Sequence, residues 1–311
     1  MSEFHHVSVL LWECIEGLNI KPDGIYVDGT LGGAGHSSEI VKRLDSGRHI
    51  GIDRDNVALK AAGERLAPWA DKVTLVHSNF CEIKQVLDDL DIEGVDGILL
   101  DLGVSSPQLD DGARGFSYMA DAPLDMRMNN EDPLTAHDVV NTWPYEELKR
   151  ILYDYGEERY APQIASAICK KRELKPIETT LELVDVIRSA MPPAALREKQ
   201  HPAKRSFQAI RIAVNDELGS VEKVMRDAIP KLNTGGRLAV ITFHSLEDRI
   251  VKNAMVAASK GCTCPPSFPV CVCGKKPQVK LITKKPIVSG DEELEMNPRA
   301  RSAKLRICEK L

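Results

Sequence analysis

Residues 28–36 read DGTLGGAGH, and this stretch decides the fold of the chain. It follows a short apolar run at 24–28, and a helical pattern begins at His36. A strand, a glycine turn and a helix in this order hold nucleotide-like ligands, because glycine lets the backbone approach and the helix N-terminus offers N–H groups. The turn departs from the G-x-G-x-x-G pattern, and a tight turn without a ligand would have the same composition.

Strands and helices alternate around this turn. The strands are predicted at 24–28, 48–53, 73–77, 96–102, 237–243, 279–284 and 303–308. The helices beside them are predicted at 7–18, 36–44, 57–66, 82–90 and 246–258. Continuous apolar strands that alternate with helices form a parallel sheet covered on both faces. The prediction is an α/β fold with a doubly wound, mostly parallel sheet.

The alternation stops after the fourth strand. Residues 103–133 are rich in Gly, Pro, Asp and Met and form a predicted loop, which is too long for an ordinary connection. From about residue 134 to 232 only helical periodicity is present, and a turn at 234–236 precedes the fifth strand. The sequence therefore predicts a core of residues 1–107 and 205–311 and an inserted all-helical domain of residues 108–204.

Composition excludes several classes of protein. Of the 311 residues, 43% are hydrophobic and 28% are charged, which argues against collagen, a long disordered tail or a disulfide scaffold. No run approaches the ~20 apolar residues of a membrane span. Glu3, His5 and His6 occupy the place where a signal peptide is positively charged. We therefore expect a cytoplasmic chain whose cysteines are thiols or metal ligands.

Charge is distributed unevenly along the chain. The net charge is −5, which argues against a general nucleic-acid binder. From Lys252 onward, however, there are 12 basic and 5 acidic residues. This asymmetry is typical of a chain with a polyanionic partner, although an unevenly charged surface is the simpler alternative.

Acidic residues end the first two strands. Asp53 follows the glycine turn at close to the ~20-residue spacing of a ribose-binding carboxylate, and a helix N-cap is its alternative role. Asp28 would face the ammonium of S-adenosylmethionine but repel the pyrophosphate of a dinucleotide, which favours the former. After the third strand, Asn79 and Phe80 offer an amide and an apolar face for adenine, unless Phe80 is a core residue.

Long blocks of the sequence resemble one known family. They are DGTLGGAGHS, GIDRD, DGILLDLGVSSPQLDDGARGFSY, PLDMRM, YGEER, HPAKRSFQAIRIAVN, ITFHSLEDRIVK and NPRARSAKLR. Together they resemble the bacterial ribosomal RNA small-subunit methyltransferase H family, also called MraW. The resemblance implies a Rossmann-like class I methyltransferase fold whose inserted domain recognises the substrate. It also implies methyl transfer from S-adenosylmethionine to N4 of one cytidine in the decoding region of 16S rRNA.

The same resemblance implies the cofactor contacts and the partner. The matching cofactor-binding positions are Ala34, Gly35, His36, Asp53, Phe80, Asp101 and Gln108. The family varies inside the turn, and we expect only a backbone contact at Ala34, where a glycine can stand. The expected partner is 16S rRNA within the small ribosomal subunit, and the sequence leaves the oligomeric state open.

Methyl transfer is expected at the end of the fourth strand, which reads DLGVSSP from Asp101. The stretch departs from the compact Asp/Asn-Pro-Pro-aromatic motif of many amino-methyltransferases. Because a cytosine amino group is a poor nucleophile, hydrogen-bond acceptors must align it with the methyl group. The candidate catalytic residues are Asp101, Ser105 and Ser106, and a purely cofactor-binding role is the alternative for Asp101.

Further polar residues are candidates for holding the RNA or an unstacked cytidine. They are Asp125, Arg127, Lys204, Arg205, His244 and Ser245. A histidine at such a position more often fixes a loop, which is the alternative for His244. The stretch after Lys204 also has the pattern of a packed helix, so phosphate contact and packing both remain open there.

Four cysteines lie close together in a proline-rich stretch: Cys262, Cys264, Cys271 and Cys273. Two C-x-C pairs can hold zinc, but they are tighter than the usual spacing, and reduced thiols or a redox switch are the alternatives. No metal is assigned from the sequence. Two other function classes also stay in view: a nicotinamide-dependent oxidoreductase, and a non-catalytic small-subunit assembly factor that kept the methyltransferase fold.

Overall fold

The structure is a computed structural model that describes residues 8–262, 264–265, 268–270 and 273–311. Its strands are β1 Ile25–Asp28, β2 Arg48–Asp53, β3 Val73–His77, β4 Val95–Asp101, β5 Leu232–Thr242, β6 Val279–Leu281 and β7 Lys304–Lys310. They form one sheet in the order β3-β2-β1-β4-β5-β7-β6. Strands β1 to β5 pair in parallel, and β7 is antiparallel to both β5 and β6. The prediction of a doubly wound, mostly parallel sheet is confirmed.

The helices alternate with the strands in the first half of the chain and then follow one another. Their bounds are α1 Leu11–Leu18, α2 Gly35–Val41, α3 Asn56–Leu66, α4 Ile83–Asp89, α5 Ser106–Asp110, α6 Ala136–Thr142, α7 Tyr145–Asp154, α8 Ala161–Leu174, α9 Thr180–Ser189, α10 Lys204–Asn215, α11 Glu217–Lys231, α12 Ser245–Ser259 and α13 Asp291–Met296. None of the helices in the described part of the chain has the length and apolar character that crossing a bilayer requires.

The apolar run in β4 is continuous because the two faces of the strand are buried in different cores. Ile98 and Leu100 pack in a cluster that includes Ile83 of α4 and Val224 of α11. Leu99 points to the opposite face and belongs to a cluster with α1 and α2. A strand covered on both faces cannot alternate apolar with polar residues, which is why this run reads as buried in the sequence.

The turn predicted at 234–236 is wrong, because β5 runs through these residues. Leu232 pairs with Val95 and Arg237 pairs with Gly97, so the register of the two strands shifts between these pairs. The extra residues on β5 therefore bulge, and Gly235 has a φ of +79°. Glycine adopts this left-handed conformation without steric cost, as a bulge requires.

The chain divides into two compact units, residues 1–103 with 218–311 and residues 104–217. The second unit therefore ends thirteen residues after the predicted 108–204 insert and begins four residues before it. The reason is α10, whose buried Phe207, Ile210 and Val214 share one core with Leu148 and Ile151 of α7. An apolar helix face in a sequence does not reveal which core it joins.

The segment after β4 docks on the helical unit as a long connection must. Phe116, Leu124, Met126 and Met128 are buried in the same core as α7 and α10. The backbone N–H of Leu124 also donates to the carbonyl of Glu178 at 3.1 Å. The predicted loop contains the short helix α5 and a 3-10 turn at Gly112–Arg114, and its Met126 and Met128 are core residues, whereas Met119 is exposed.

The carboxyl ends of the parallel strands place the candidate site. The strand order reverses between β1 and β4, and open α/β sheets bind ligands in the crevice at such a switch point. Asp28, Asp53 and Asp101 are the last residues of β1, β2 and β4. Three carboxyl groups therefore stand along this edge of the sheet.

Candidate active site

The carboxylate of Asp28 fixes the glycine turn to the end of β1. Its Oδ1 accepts the backbone N–H of Thr30 at 3.1 Å, and its Oδ2 accepts the Ser37 hydroxyl at 2.6 Å. Burial raises the pKa of Asp28, and the hydrogen bonds from Ser37 and Thr30 lower it. Both oxygens therefore already have protein donors, and Asp28 shapes the turn besides contributing negative charge to the edge.

His49 and Ser37 form a buried polar chain behind Asp28 that the sequence did not reveal. Nε2 of His49 lies 2.9 Å from Ser37 Oγ, and both residues are fully buried. Burial lowers the pKa of His49 to about 3, so the ring is neutral. Because Ser37 donates its proton to Asp28, its oxygen accepts from His49 Nε2–H. The only sequence signal was a histidine inside an otherwise apolar strand.

Asp53 joins the end of β2 to the glycine turn. Its Oδ2 accepts the N–H of Gly32 and its Oδ1 accepts the N–H of Asp55, both at 2.8 Å. Burial raises the pKa of Asp53, while these two hydrogen bonds lower it. The helix N-cap considered for Asp53 is Asp55, whose side chain accepts from Val57. Asp53 therefore places its carboxylate directly beside the turn.

The N-terminal segment covers the turn and the start of α2. Ala34 is buried and has a φ of +58°, a left-handed conformation that costs a non-glycine residue about 1–2 kcal/mol. A Cβ on Gly35 would come within 1.8 Å of Ser8 Oγ. His36 Nε2 lies 3.0 Å from the carbonyl oxygen of Val9. These three predicted cofactor-binding residues therefore lie together, against residues 8 and 9.

Asp101 differs from the other two strand-end carboxylates. Its backbone N–H donates to Thr30 Oγ1 at 2.6 Å, which connects the end of β4 to the turn. Its buried Oδ1 finds no hydrogen-bond partner in the part of the chain that the structure describes. Burial, together with the negative charges of Asp28 and Glu247, raises the pKa of Asp101 to about 8. This carboxyl group is therefore largely protonated at neutral pH.

Thr30 is a second residue that the sequence did not single out. Its N–H donates to Asp28 and its hydroxyl accepts from the N–H of Asp101, so one side chain couples two strand ends. Its position inside the glycine turn was the only available signal.

Phe80 and Asn79 follow β3. Phe80 is half-buried and packs on the sheet core, and a Cβ on Gly29 would lie 3.2 Å from Phe80 Cβ. Phe80 therefore lies next to the start of the glycine turn. Asn79 Oδ1 accepts the N–H of Cys81 at 3.1 Å, so this amide oxygen caps a short 3-10 turn.

His244 and Ser245 begin α12. His244 is the N-cap, and its Nδ1 accepts the N–H of Glu247 at 3.5 Å. Nε2 of the same ring lies 3.1 Å from Glu247 Oε1, and Oε2 of Glu247 accepts the backbone N–H of Phe243 at 3.0 Å. Both ring nitrogens therefore face Glu247, which is the loop-fixing arrangement considered from the sequence. Ser245 is exposed.

In the helical unit, Ser105 and Gln108 cap each other around α5. Gln108 is buried, and its Oε1 accepts the N–H of Ser105 at 3.1 Å. The Ser105 hydroxyl accepts the N–H of Gln108 at 3.4 Å. Ser106 is the first residue of α5, and its side chain lies outside the described residues.

Asp125 and Arg127 form an ion pair within the same unit. Nη2 of Arg127 lies 2.7 Å from Asp125 Oδ2, and Nε donates to Oδ1 at 3.0 Å. Nη1 donates to the carbonyls of Asn130 and Asp132, each at 2.8 Å. The guanidinium therefore holds its own loop with most of its donors, and the pKa of Asp125 is lowered by Arg127 against the effect of burial.

Lys204 and Arg205 are exposed at the start of α10. Arg205 Nη1 donates to the carbonyl of Glu157 at 2.6 Å, which leaves the remaining guanidinium donors near solvent. The apolar face of α10 is packed in the core and its first turn exposes two cations, so packing is confirmed there and phosphate contact stays a prediction.

Comparison with known proteins identifies the family. A family model described as the MraW methylase family matches residues 3–311. The chain belongs to the MraW methylase family. It is 60% identical over 309 residues to a ribosomal RNA small subunit methyltransferase H of Brevibacillus brevis, covering 99% of this chain and 98% of that protein. A protein of the same name from Clostridium botulinum is 59% identical over 310 residues and covers 99% and 100%.

Among solved structures, the chain is similar to an rRNA methylase from Streptococcus thermophilus. The TM-score is 0.40 at 12% identity, and the match covers 97% of this chain and 92% of that one. Family membership also confirms the predicted cofactor, S-adenosylmethionine.

The residues of the site fit this cofactor. S-adenosylmethionine carries positive charge on its sulfonium and on its ammonium, and the sheet edge presents the carboxyl groups of Asp28, Asp53 and Asp101. The buried Oδ1 of Asp101 in particular lacks a donor among the described residues. The pyrophosphate of a nicotinamide dinucleotide would meet the carboxylate of Asp28 beside the glycine turn, which argues against the oxidoreductase alternative.

Proposed function

We propose that this chain transfers a methyl group from S-adenosylmethionine to the exocyclic N4 of one cytidine in 16S rRNA. The observation that carries the proposal is Asp101, a buried acid at the switch point whose Oδ1 has no donor among the described residues. Its pKa of about 8 suits a group that exchanges a proton near neutral pH. The rRNA substrate is supported by the names of the B. brevis and C. botulinum relatives.

The exocyclic amine explains why such an acid is needed. The lone pair of the cytosine amino nitrogen is conjugated with the ring, so the nitrogen must be aligned and its developing positive charge stabilised. When bound, S-adenosylmethionine supplies an electrophilic methyl group and leaves as a neutral thioether. Ionised Asp101 accepts a hydrogen bond from the amine at Oδ1 and takes its proton as the nitrogen becomes cationic. Ser105 and Ser106 are the further candidate acceptors in the segment after β4.

The residues around the glycine turn are proposed to hold the cofactor. Asp53 would bind the ribose hydroxyls, and Phe80 would contact the adenine with its ring. The backbone of Ala34 and Gly35, together with His36, would line the turn side of the site. Gln108 is the proposed contact from the helical unit.

The helical unit is proposed to recognise the RNA. A cytidine inside a helix must be unstacked before it can react, so cations that position the backbone are needed nearby. Lys204 and Arg205 are exposed and suited to phosphate contacts. Asp125 and Arg127 of the helical unit are proposed as substrate contacts, and so are His244 and Ser245 after β5. The proposed location is the cytoplasm, and the proposed partner is the small ribosomal subunit.

Methyl transfer to small subunits that lack the modification tests this function. The full chain is incubated with labelled S-adenosylmethionine and subunits, and the rRNA is digested to nucleosides. N4-methylated cytidine is the expected product. Label at another base or at cytosine C5, or no label despite cofactor binding, would contradict the proposal, and the last result would favour the assembly-factor alternative.

A matched pair of variants tests the role of Asp101. Asp101→Asn keeps the shape of the side chain but cannot take a proton, so we expect the rate to fall about 10²–10³-fold. Asp96→Asn changes a carboxylate near the opposite end of the same strand, where it pairs with Lys21. This control is expected to keep its rate. Equal rates for Asp101→Asn and the unmodified protein would remove Asp101 from the mechanism.

A further inference from the structure

The connection between α12 and β6, residues 260–278, is a long loop closed at its base. The N–H of Gln278 donates to the carbonyl of Ala258 at 2.9 Å. A Cβ on Gly261 would lie 3.0 Å from Pro277 Cδ, so the two arms of the loop run close together. We call residues 260–278 the cysteine loop.

Three thiols join the two arms of the cysteine loop. Cys262 and Cys264 lie on the outgoing arm and Cys273 lies on the returning arm. Their Sγ atoms all lie within 4.8 Å of one another, and those of Cys262 and Cys273 are 3.7 Å apart. Cys271, the fourth cysteine of the sequence cluster, lies outside the described residues.

The sulfur spacing matches metal coordination. With Zn–S bonds of about 2.3 Å, the edge of a tetrahedral thiolate site is about 3.8 Å. The 3.7 Å between the Cys262 and Cys273 sulfurs agrees with that edge. A disulfide has an S–S distance of about 2.05 Å, so the Cys262 and Cys273 sulfurs are not bonded to each other. A disulfide would also not bring a third sulfur close to the pair.

The described apolar side chains of the cysteine loop are exposed. Phe268 and Val270 are 51% and 69% exposed, so these large apolar side chains do not build a core. Between residues 260 and 278 the sequence contains no Asp or Glu, and it contains Lys260, Lys275 and Lys276. The thiolates are therefore the loop's own anionic ligands, and the lysines offset the negative charge of a metal–thiolate centre.

We propose that Cys262, Cys264 and Cys273 bind one zinc ion that fixes the cysteine loop. The site is structural, since its three sulfurs lie on a loop between α12 and β6 and come from both arms of that loop. Because the metal binds only when the loop is folded, the free energy of metal binding stabilises the folded loop. The three Sγ atoms bind as thiolates, and their protons are released to solvent as zinc enters.

Zinc content of the full-length chain tests the site. The protein is reduced, loaded with zinc and dialysed, and its metal is measured by mass spectrometry. We expect one zinc per chain, and a cobalt-loaded sample should show thiolate-to-cobalt charge-transfer absorption. Cys262→Ser and Cys273→Ser should each lose the metal, whereas Cys169→Ser, which changes a cysteine of α8 in the other unit, should keep it.

Hydrogen exchange gives a readout that needs no variant. Removing zinc with a chelator should speed exchange in residues 260–278 and leave β1 to β5 unchanged. A reduced chain that retains no zinc, or a Cys262→Ser, Cys273→Ser double variant that retains it, overturns the site. Neither measurement depends on methyl transfer, so its result is separate from that of the proposed function.

Discussion

The raised pKa of Asp101 predicts that cofactor binding strengthens as pH rises. A cationic ligand beside this carboxyl group favours its ionised form, but the unliganded group is largely protonated below its pKa of about 8. Binding below pH 8 must therefore expel a proton, which costs about 1.4 kcal/mol, or tenfold in affinity, for each pH unit. Above pH 8 the group is already ionised and the gain levels off.

The magnitude follows from the protonated fraction. For a pKa of about 8, the penalty on the dissociation constant is about 100-fold at pH 6 and about 1.1-fold at pH 9. The Asp101→Asn variant carries no titrating group at this position. The ratio of its dissociation constant to that of the unmodified protein should therefore rise about 90-fold from pH 6 to pH 9.

Calorimetry with S-adenosylmethionine measures this ratio directly. Taking the ratio removes the titration of the cofactor's own amino group, because both proteins bind the same ligand. In two buffers of different ionisation enthalpy at pH 7, the unmodified protein should release about 0.9 proton more than the variant. A ratio that stays constant between pH 6 and pH 9 would refute the assignment of a charged Asp101 to the bound state.

Three further predictions concern stability. Burial lowers the folded pKa of His49 to about 3, so its neutral ring favours folding above pH 6.5 and that contribution is lost as pH falls. His49→Gln should therefore gain about 2.5 kcal/mol over the unmodified protein between pH 7 and pH 4.5 in urea unfolding. Gly35→Ala should destabilise the protein by about 1–3 kcal/mol, and adding Ser8→Gly should restore it in thermal unfolding, since the new methyl group meets the Ser8 hydroxyl. Asn215→Ala removes a buried amide that accepts the backbone N–H of Met128 and donates to the carbonyl of Met126, and urea unfolding should show a loss of about 2–4 kcal/mol; an unchanged midpoint would contradict that role.

The strands of the sheet were predictable because each buried strand is a short apolar run between turn residues. The bounds of β2 and β3 match their predictions, 48–53 and 73–77. The bulge in β5 was not predictable from the sequence. Two consecutive glycines are typical of a turn, and only the pairing of β5 with β4 shows that they lie within a strand. The sequence places the end of the insert at residue 204, whereas the compact unit ends at residue 217, because an apolar face such as that of α10 does not show which core it joins.

The location of the site was predictable from the sequence, but the contacts that each of its residues makes were not. Acidic residues at strand ends are visible in a sequence, so Asp53 and Asp101 could be chosen. What each group binds depends on residues brought near by folding. Nδ1 of His244 accepts a backbone N–H at the start of its own helix, α12, and Oε1 of Gln108 accepts the N–H of Ser105. Asp101 differs from its neighbours because its Oδ1 has no donor among the described residues, which no local sequence pattern records.

During synthesis, β4 cannot pair with β5 until the ribosome has made the helical unit that separates the two strands in the sequence. Ile98 lies next to Leu238 in the sheet, yet residues 104–217 form a separate unit between them. At about 5–20 residues per second, a ribosome takes roughly 6 to 23 seconds to make this stretch. During that interval β4 is an unpaired apolar edge, open to wrong partners. The nascent chain should therefore depend most on chaperones after β4 has emerged and before β5 has been made.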